Sequence, residues 1–210
     1  MECVVVDYGS GNVRSVLRAL EHVADNHTVC LSDDPKTIAE ADHLILPGVG
    51  AFSHCADSLK SRAGVLEAIH QHSIVRQRPF LGICVGMQLL ASHGEEYNGC
   101  AGLDWIAGRV QPFDSQATEG LAIPRMGWGT LAPTRDHRLL ADLSPAGMMY
   151  FVHSYVFRPE NSDHILARTQ YGENYCALVA RENIIGTQFH PEKSQQMGLG
   201  LLHNFLNWKA

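Results

Sequence analysis

The sequence predicts an α/β fold: a three-layer open sheet, largely parallel, with an antiparallel extension in the second half. Three observations carry this. Up to about residue 90, short apolar runs rich in β-branched residues alternate with stretches of helical period, the pattern of strand–helix–strand crossovers. Glycine-containing turns follow several of these runs, at what become the carboxyl ends of parallel strands, where open α/β sheets bind ligands. Beyond residue 90 the strand-like runs crowd together and leave little room for crossover helices, so antiparallel pairing is expected. A chain of 210 residues can bury a sizeable core and fits one domain spanning 1–210.

The first run, residues 3–6, is β-branched and ends in Asp7-Tyr8-Gly9-Ser10-Gly11-Asn12, after which Val13, Val16, Leu17 and Leu20 recur at helical spacing. Gly9-x-Gly11 is an incomplete dinucleotide fingerprint, since Arg14 stands where a third glycine is required, and reads as a tight strand-to-helix turn. Residues 28–31 and 43–46 are the second and third strands. The loop Pro47-Gly48-Val49-Gly50-Ala51-Phe52 follows, with two glycines whose freedom at positive φ lets peptide N–H groups point at an anion; taken alone it is also compatible with a plain turn. Val65, Leu66 and Ile69 mark a further helix, residues 80–83 a buried strand, and Met87, Leu89 and Leu90 the start of a packed helix. Strand-like runs then occupy 105–113, 127–132, 148–157, 164–169, 175–180 and 183–189. The polar stretch 114–120 reads as a mobile loop, and a closing helix is expected over about 194–209 with Leu199, Leu202, Phe205 and Leu206 on its apolar stripe.

A net charge of −6 lacks the basic face that nucleic-acid binding needs, and no apolar run reaches membrane-spanning length. The six cysteines contain no C-x-x-C pair and are read as reduced. No export signal opens the chain, so a cytoplasmic location is expected. No ligand spacing supports a metal, and no cofactor is called for.

Cys84 lies where the strand 80–83 meets the following helix, between Gly82 and Gly86, in the Gly-x-Cys-x-Gly pattern of a nucleophile elbow with sulfur in place of oxygen. A sulfur at that join would face the helix N-terminus, which favours the thiolate. A buried free cysteine is, equally, often inert packing. A thiol nucleophile needs a base, and the base a partner that fixes its tautomer. His190 and Glu192, joined by Pro191 at the end of the last strand, offer both. His-x-Glu also opens the zinc deaminase signature, but the required Pro-Cys-x-x-Cys is missing.

Gly82-Ile83-Cys84-Val85-Gly86-Met87-Gln88, Phe189-His190-Pro191-Glu192 and the Pro47-Gly48-Val49-Gly50 loop together closely resemble the class I, triad-type glutamine amidotransferases, whose fold is flavodoxin-like. Residues 7–12, Met126-Gly127-Trp128, residues 150–155 and Lys193-Ser194 narrow the resemblance to the glutaminase subunits of imidazole glycerol phosphate synthase. It covers nearly the whole chain. The resemblance implies that Cys84 attacks the side-chain amide of L-glutamine, that His190 protonates the departing ammonia, and that Glu192 orients His190. It implies an oxyanion hole at Val49, Gly50 and Val85, and glutamine held by Gln88, Glu96, His153, Ser154 and Tyr155, with Glu96 near the α-amino group. On residue type alone Glu96 is equally a solvated surface carboxylate. It further implies a (β/α)8-barrel cyclase partner that receives ammonia through a channel, docks on Asn12, Trp128 and Lys193, and activates the glutaminase by reorienting the Gly48–Val49 peptide. Where the family usually has His before Met and Asn after Trp, this chain has Arg125 and Gly129. Both are expected at the partner interface, the arginine against an acidic residue of the synthase. Two alternatives stand beside this reading: a paralogous glutaminase subunit serving another aminating synthase, and a catalytically silent binding subunit.

Overall fold

The computed structural model describes residues 1–209. Its first half runs β1 (Glu2–Val6), α1 (Val13–Val23), β2 (Thr28–Ser32), α2 (Pro35–Glu40), β3 (His43–Gly48), α3 (Phe52–Ser61), α4 (Val65–His70), β4 (Phe80–Cys84) and α5 (Val85–Gln88). The second half runs β5 (His93–Gly94), β6 (Cys100–Ala101), β7 (Gly108–Pro112), β8 (Arg125–Thr130), β9 (Ala132–Pro133), β10 (Met148–His153), β11 (Tyr155–Pro159), β12 (Ile165–Tyr171), β13 (Glu173–Arg181), β14 (Ile184–Thr187) and α6 (Gln195–Leu206).

The main sheet has the order β2-β1-β3-β4-β14-β13-β12-β9. Its first five strands pair in parallel and the rest antiparallel, so the expected parallel sheet with an antiparallel extension is what forms. β3 and β4 are buried at every position, the continuous apolar run of a strand covered on both faces. Helix α1 packs with α6 and α2 with α4. α1 turns Val16 and Leu20 into the core.

Several expectations are corrected. Two helices went unpredicted. α3 buries Phe52, Cys55, Ala56 and Leu59, a helical stripe that starts inside the stretch read as loop. α2 is opened by Asp34, whose carboxylate accepts from the Thr37 N–H at 2.8 Å, with Pro35 in its first turn. Behind Cys84, α5 is a single turn and stops short of Leu90. The Leu89 carbonyl accepts from the Leu103 N–H and the Leu90 carbonyl from those of Trp105 and Ile106, so the 103–106 segment takes acceptors a longer helix would use.

The run 148–157 divides at Ser154. β10 pairs with β8, whereas β11 pairs with β7 in another sheet. Residues 114–120 form a hydrogen-bonded turn: the Asp114 carboxylate accepts from the Gln116 N–H at 2.9 Å, and Thr118 is buried. In α6 the expected stripe residues Leu202, Phe205 and Leu206 are buried, together with Leu201, while Leu199 is only half-buried.

Candidate active site

Four features of the fold converge on the carboxyl edge of β4. Cys84, its last residue, adopts φ 55° and ψ −110°, a backbone conformation side-chain-bearing residues rarely hold, so the sulfur is presented at the price of local strain. The turn closes only because its neighbours lack side chains. A Cβ at Gly86 would collide with the Leu46 carbonyl, and one at Gly82 with the Gly86 backbone. β3 runs beside β4 with Gly48 opposite Cys84, which delivers the Val49–Gly50 loop to the sulfur. The chain after β14 brings His190 from the other side, and the switch at Ser154 brings residues 153–155.

Together these enclose a cleft of about 440 Å³ lined by Asn12, Val49, Gly50, Cys84, Val85, Gln88, Glu96, Pro124, Val152, His153, Ser154, Tyr155, His190 and Lys193. Every site residue named from the sequence lines it except Glu192 and Trp128. Glu192 stands behind His190, accepting from His190 Nδ1 at 2.8 Å, with both side chains buried. Nδ1 therefore carries its proton toward the carboxylate, and Nε2 is left without a hydrogen-bond partner. Burial alone would depress the pKa of His190. The nearby Cys84 sulfur, then the hydrogen bond and charge of Glu192, outweigh it and raise the value to about 9. The imidazole is thus cationic at neutral pH, the charge partner a thiolate nucleophile requires. That cation, more than the dipole of a one-turn helix, faces the sulfur.

Asn12 does more than sit at a surface: its Nδ2 donates to Glu192 Oε1 at 3.5 Å. Glu96 is not a free surface carboxylate, because its Oε2 accepts from the Phe52 N–H at 2.7 Å and supplies the N-terminal cap that Ala51 cannot. The Val49 carbonyl accepts from Ser10 Oγ at 3.2 Å and from Cys55 Sγ at 3.4 Å. In a trans peptide the N–H points opposite the carbonyl, so these contacts fix the direction of the Gly50 N–H. Gly50 itself has φ +92°.

Three participants were missed from the sequence. Gln188 is fully buried and donates from Nε2 to Cys84 Sγ at 3.8 Å, while its Oε1 accepts from Gln88 Nε2 at 3.0 Å. Pro124 and Val152 line the cleft. Alternation along the last strand could have raised Gln188, a polar side chain in an otherwise apolar run; nothing local marks Pro124.

Trp128 is 44% exposed and packs edge-on against Tyr150, over a second groove formed with Met148 and Met197. Arg125 departs from expectation. In β8 the odd positions turn inward, so Met126 and Trp128 face out while the Arg125 side chain is 3% exposed and out of a partner's reach.

A family model described as "Glutamine amidotransferase class-I" matches residues 4–208. The chain is 48% identical over 213 residues to the imidazole glycerol phosphate synthase subunit HisH of Rhodospirillum rubrum, covering 99% of each, and 45% identical to that of Rhodopseudomonas palustris, covering 100% of each. Among solved structures it resembles a glutamine amidotransferase (TM-score 0.70, 19% identity, 93% of this chain and 94% of that one). A chain of the PurLQS structure from Thermotoga maritima also matches (TM-score 0.67, 18% identity, 98% and 97%). At those identities the two structures speak for the fold.

Proposed function

The chain belongs to the class-I glutamine amidotransferase family, and from that premise we infer that it is the glutaminase subunit of an imidazole glycerol phosphate synthase, working as one amidotransferase domain in histidine biosynthesis. The observation that carries this is the meeting of Cys84 and His190, the latter backed by Glu192, in a cleft large enough for a free amino acid.

Cys84 attacks the side-chain amide carbon of glutamine, and the amide oxygen takes up negative charge. The Gly50 N–H, the Val49 segment and the Val85 N–H answer that charge. His190 gives its Nε2 proton to the departing ammonia, then draws a proton from water as it hydrolyses the thioester, leaving glutamate. Glu192 holds the ring through Nδ1, so Nε2 stays aimed at the reacting atoms. Gln88, Glu96, His153, Ser154 and Tyr155 hold the substrate; the free Glu96 oxygen suits the α-ammonium group.

Ammonia released into water would be protonated and lost as a nucleophile. A (β/α)8-barrel cyclase partner, forming a heterodimer with this chain and receiving ammonia through a channel, would avoid that loss and supply the lyase half of the reaction, in the cytoplasm. The exposed side chains Met126, Trp128 and Met148 offer an apolar, partly aromatic docking face next to Lys193 at the cleft mouth.

The test is synthesis by this chain with its own organism's barrel cyclase, fed either glutamine or ammonium. Cys84→Ala is expected to cut glutamine-dependent synthesis roughly 10,000-fold or more and leave ammonia-dependent synthesis intact. Loss of both would make Cys84 structural, and full glutamine-dependent synthesis would remove it from the chemistry.

A further inference from the structure

Arg125 is a buried cation whose guanidinium lies within 4.0 Å of no carboxylate among the described residues. It sits over the Phe151 ring at 4.0 Å, with the rings of Tyr171 and Tyr175 at 5.2 and 5.4 Å. An aromatic cage of this kind compensates part of the lost hydration. Further along the same strand Gly129 leaves space for it: a Cβ there would meet the tip of the guanidinium and oblige it to shift. The two departures noted from the sequence, Arg125 and Gly129, are therefore one exchange of volume within this protein.

The guanidinium donates to the Tyr175 hydroxyl. That hydroxyl lies 3.0 Å from His153 Nε2, and His153 Nδ1 lies 2.9 Å from the Tyr155 carbonyl. The same carbonyl accepts from Gln88 Nε2 at 3.1 Å, and Gln88 leads through Gln188 to the Cys84 sulfur. The proton order of this chain follows from its ends. Arginine can only donate, and a carbonyl can only accept. His153 Nδ1 must then donate to Tyr155. With the Tyr175 oxygen already accepting from Arg125, its own proton is free to go to His153 Nε2, which must be bare to receive it.

A doubly protonated His153 would instead aim an N–H at a hydroxyl already engaged by a cation. Without the arginine that hydroxyl could turn and accept, and a charged His153 would be fully satisfied. We propose that Arg125 is a positioning residue that adds to burial in keeping His153 uncharged, with Nδ1 protonated against the Tyr155 carbonyl, and so preserves the wall of the glutamine cleft. The proposal rests on the amidotransferase reading for its consequence, since a cation at His153 would oppose the substrate's ammonium group beside Glu96.

The groups facing His153 are Arg125 from β8, Tyr175 from β13, the Tyr155 backbone from β11 and His190 from the loop after β14, with Phe113 stacked on the ring at 5.2 Å. Burial, then the charges of Arg125 and His190, hold its pKa down to about 3, against the pull of the Tyr155 carbonyl.

The experiment follows the imidazole NMR signals of His153 with pH, which needs no turnover and so separates this proposal from the function assigned above. In the unmodified protein the ring is expected to stay neutral and Nδ1-protonated down to about pH 4; titration near pH 6.5 would overturn the proposal without any variant. In Arg125→Met the titration is expected to rise by about 1–2 units, toward about pH 5, with KM for glutamine at pH 5 up as much as about twofold, since up to about half the rings are then charged, and kcat little changed. Arg125→Lys, which restores the charge, is expected to bring His153 back toward neutrality. A folded Arg125→Met protein in which His153 titrates as before would refute the role.

Discussion

At the scale of single residues the site depends on where protons sit. His190 holds a proton it would lack if burial acted alone, because Glu192 and Cys84 outweigh the lost hydration. The alkaline limb of kcat/KM should therefore report the loss of that proton near pH 9. Glu192→Gln removes the negative charge but keeps a hydrogen-bonding oxygen. The limb is expected to move down by about 1 unit or more, toward the ordinary histidine value, and a pH profile on the two proteins decides it. An unmoved limb would mean that Cys84 alone sets the basicity of His190. These residues were readable in the sequence because chemistry leaves residue types at fixed spacing: Cys84 between two glycines, and His190 and Glu192 across a proline. The orientation of Arg125 was not. Motif position put it at an interface, but strand alternation within β8 turned it inward, and that alternation depends on which face of a two-stranded sheet meets the core.

At the scale of elements, glycines divide into those that make room and those that bend the chain. Gly86 makes room: a Cβ there meets the Leu46 carbonyl, which the β3–β4 ladder holds rigid. Gly86→Ala is expected to cost about 3 kcal/mol, the upper end of overpacking. Gly50 has open space around it but φ +92°, so Gly50→Ala should cost only ~1–2 kcal/mol of conformational energy. Under the proposed mechanism its effect should fall on turnover, because a shift in that backbone would move the Gly50 N–H away from the developing oxyanion. Urea midpoints and kcat on both variants separate the two classes; equal loss of stability in both would contradict it. The strands of the first half were legible because a sheet buried on both faces writes continuous apolar runs, as in β3 and β4. Helix α3 was overlooked although Phe52, Cys55, Ala56 and Leu59 carry its period, since the glycines just before it drew the boundary too late. The end of α5 was not legible at all, because it is decided by residues 103–106 taking its carbonyls, a contact no local pattern announces.

At the scale of the whole molecule, buried histidines set how stability responds to pH. His72 and His153 are held neutral chiefly by burial, each with its pKa lowered to about 3, and His43 is lowered for the same reason. In the unfolded chain each takes a proton near pH 6.5. Their neutral forms therefore contribute stability that is whole above pH 6.5 and is lost as pH falls from there toward 3, at about 1.4 kcal/mol per pH unit per group. His190 runs the other way. Its folded pKa lies above the unfolded one, so its contribution is whole below pH 6.5 and is lost as pH rises through about 9. The two trends meet, and stability from these groups should peak near pH 6.5, with the acid side the steeper because at least two groups act there against one. Denaturation monitored from pH 4 to 9 tests this. Attribution comes from His72→Gln, far from the cleft: at pH 5 its unfolding should take up about one proton fewer than that of the unmodified protein, because an unfolded His72 is charged there and a folded one is not. Unchanged proton uptake would show that His72 is already charged in the folded state, and the acid sensitivity would then have to come from carboxylates instead.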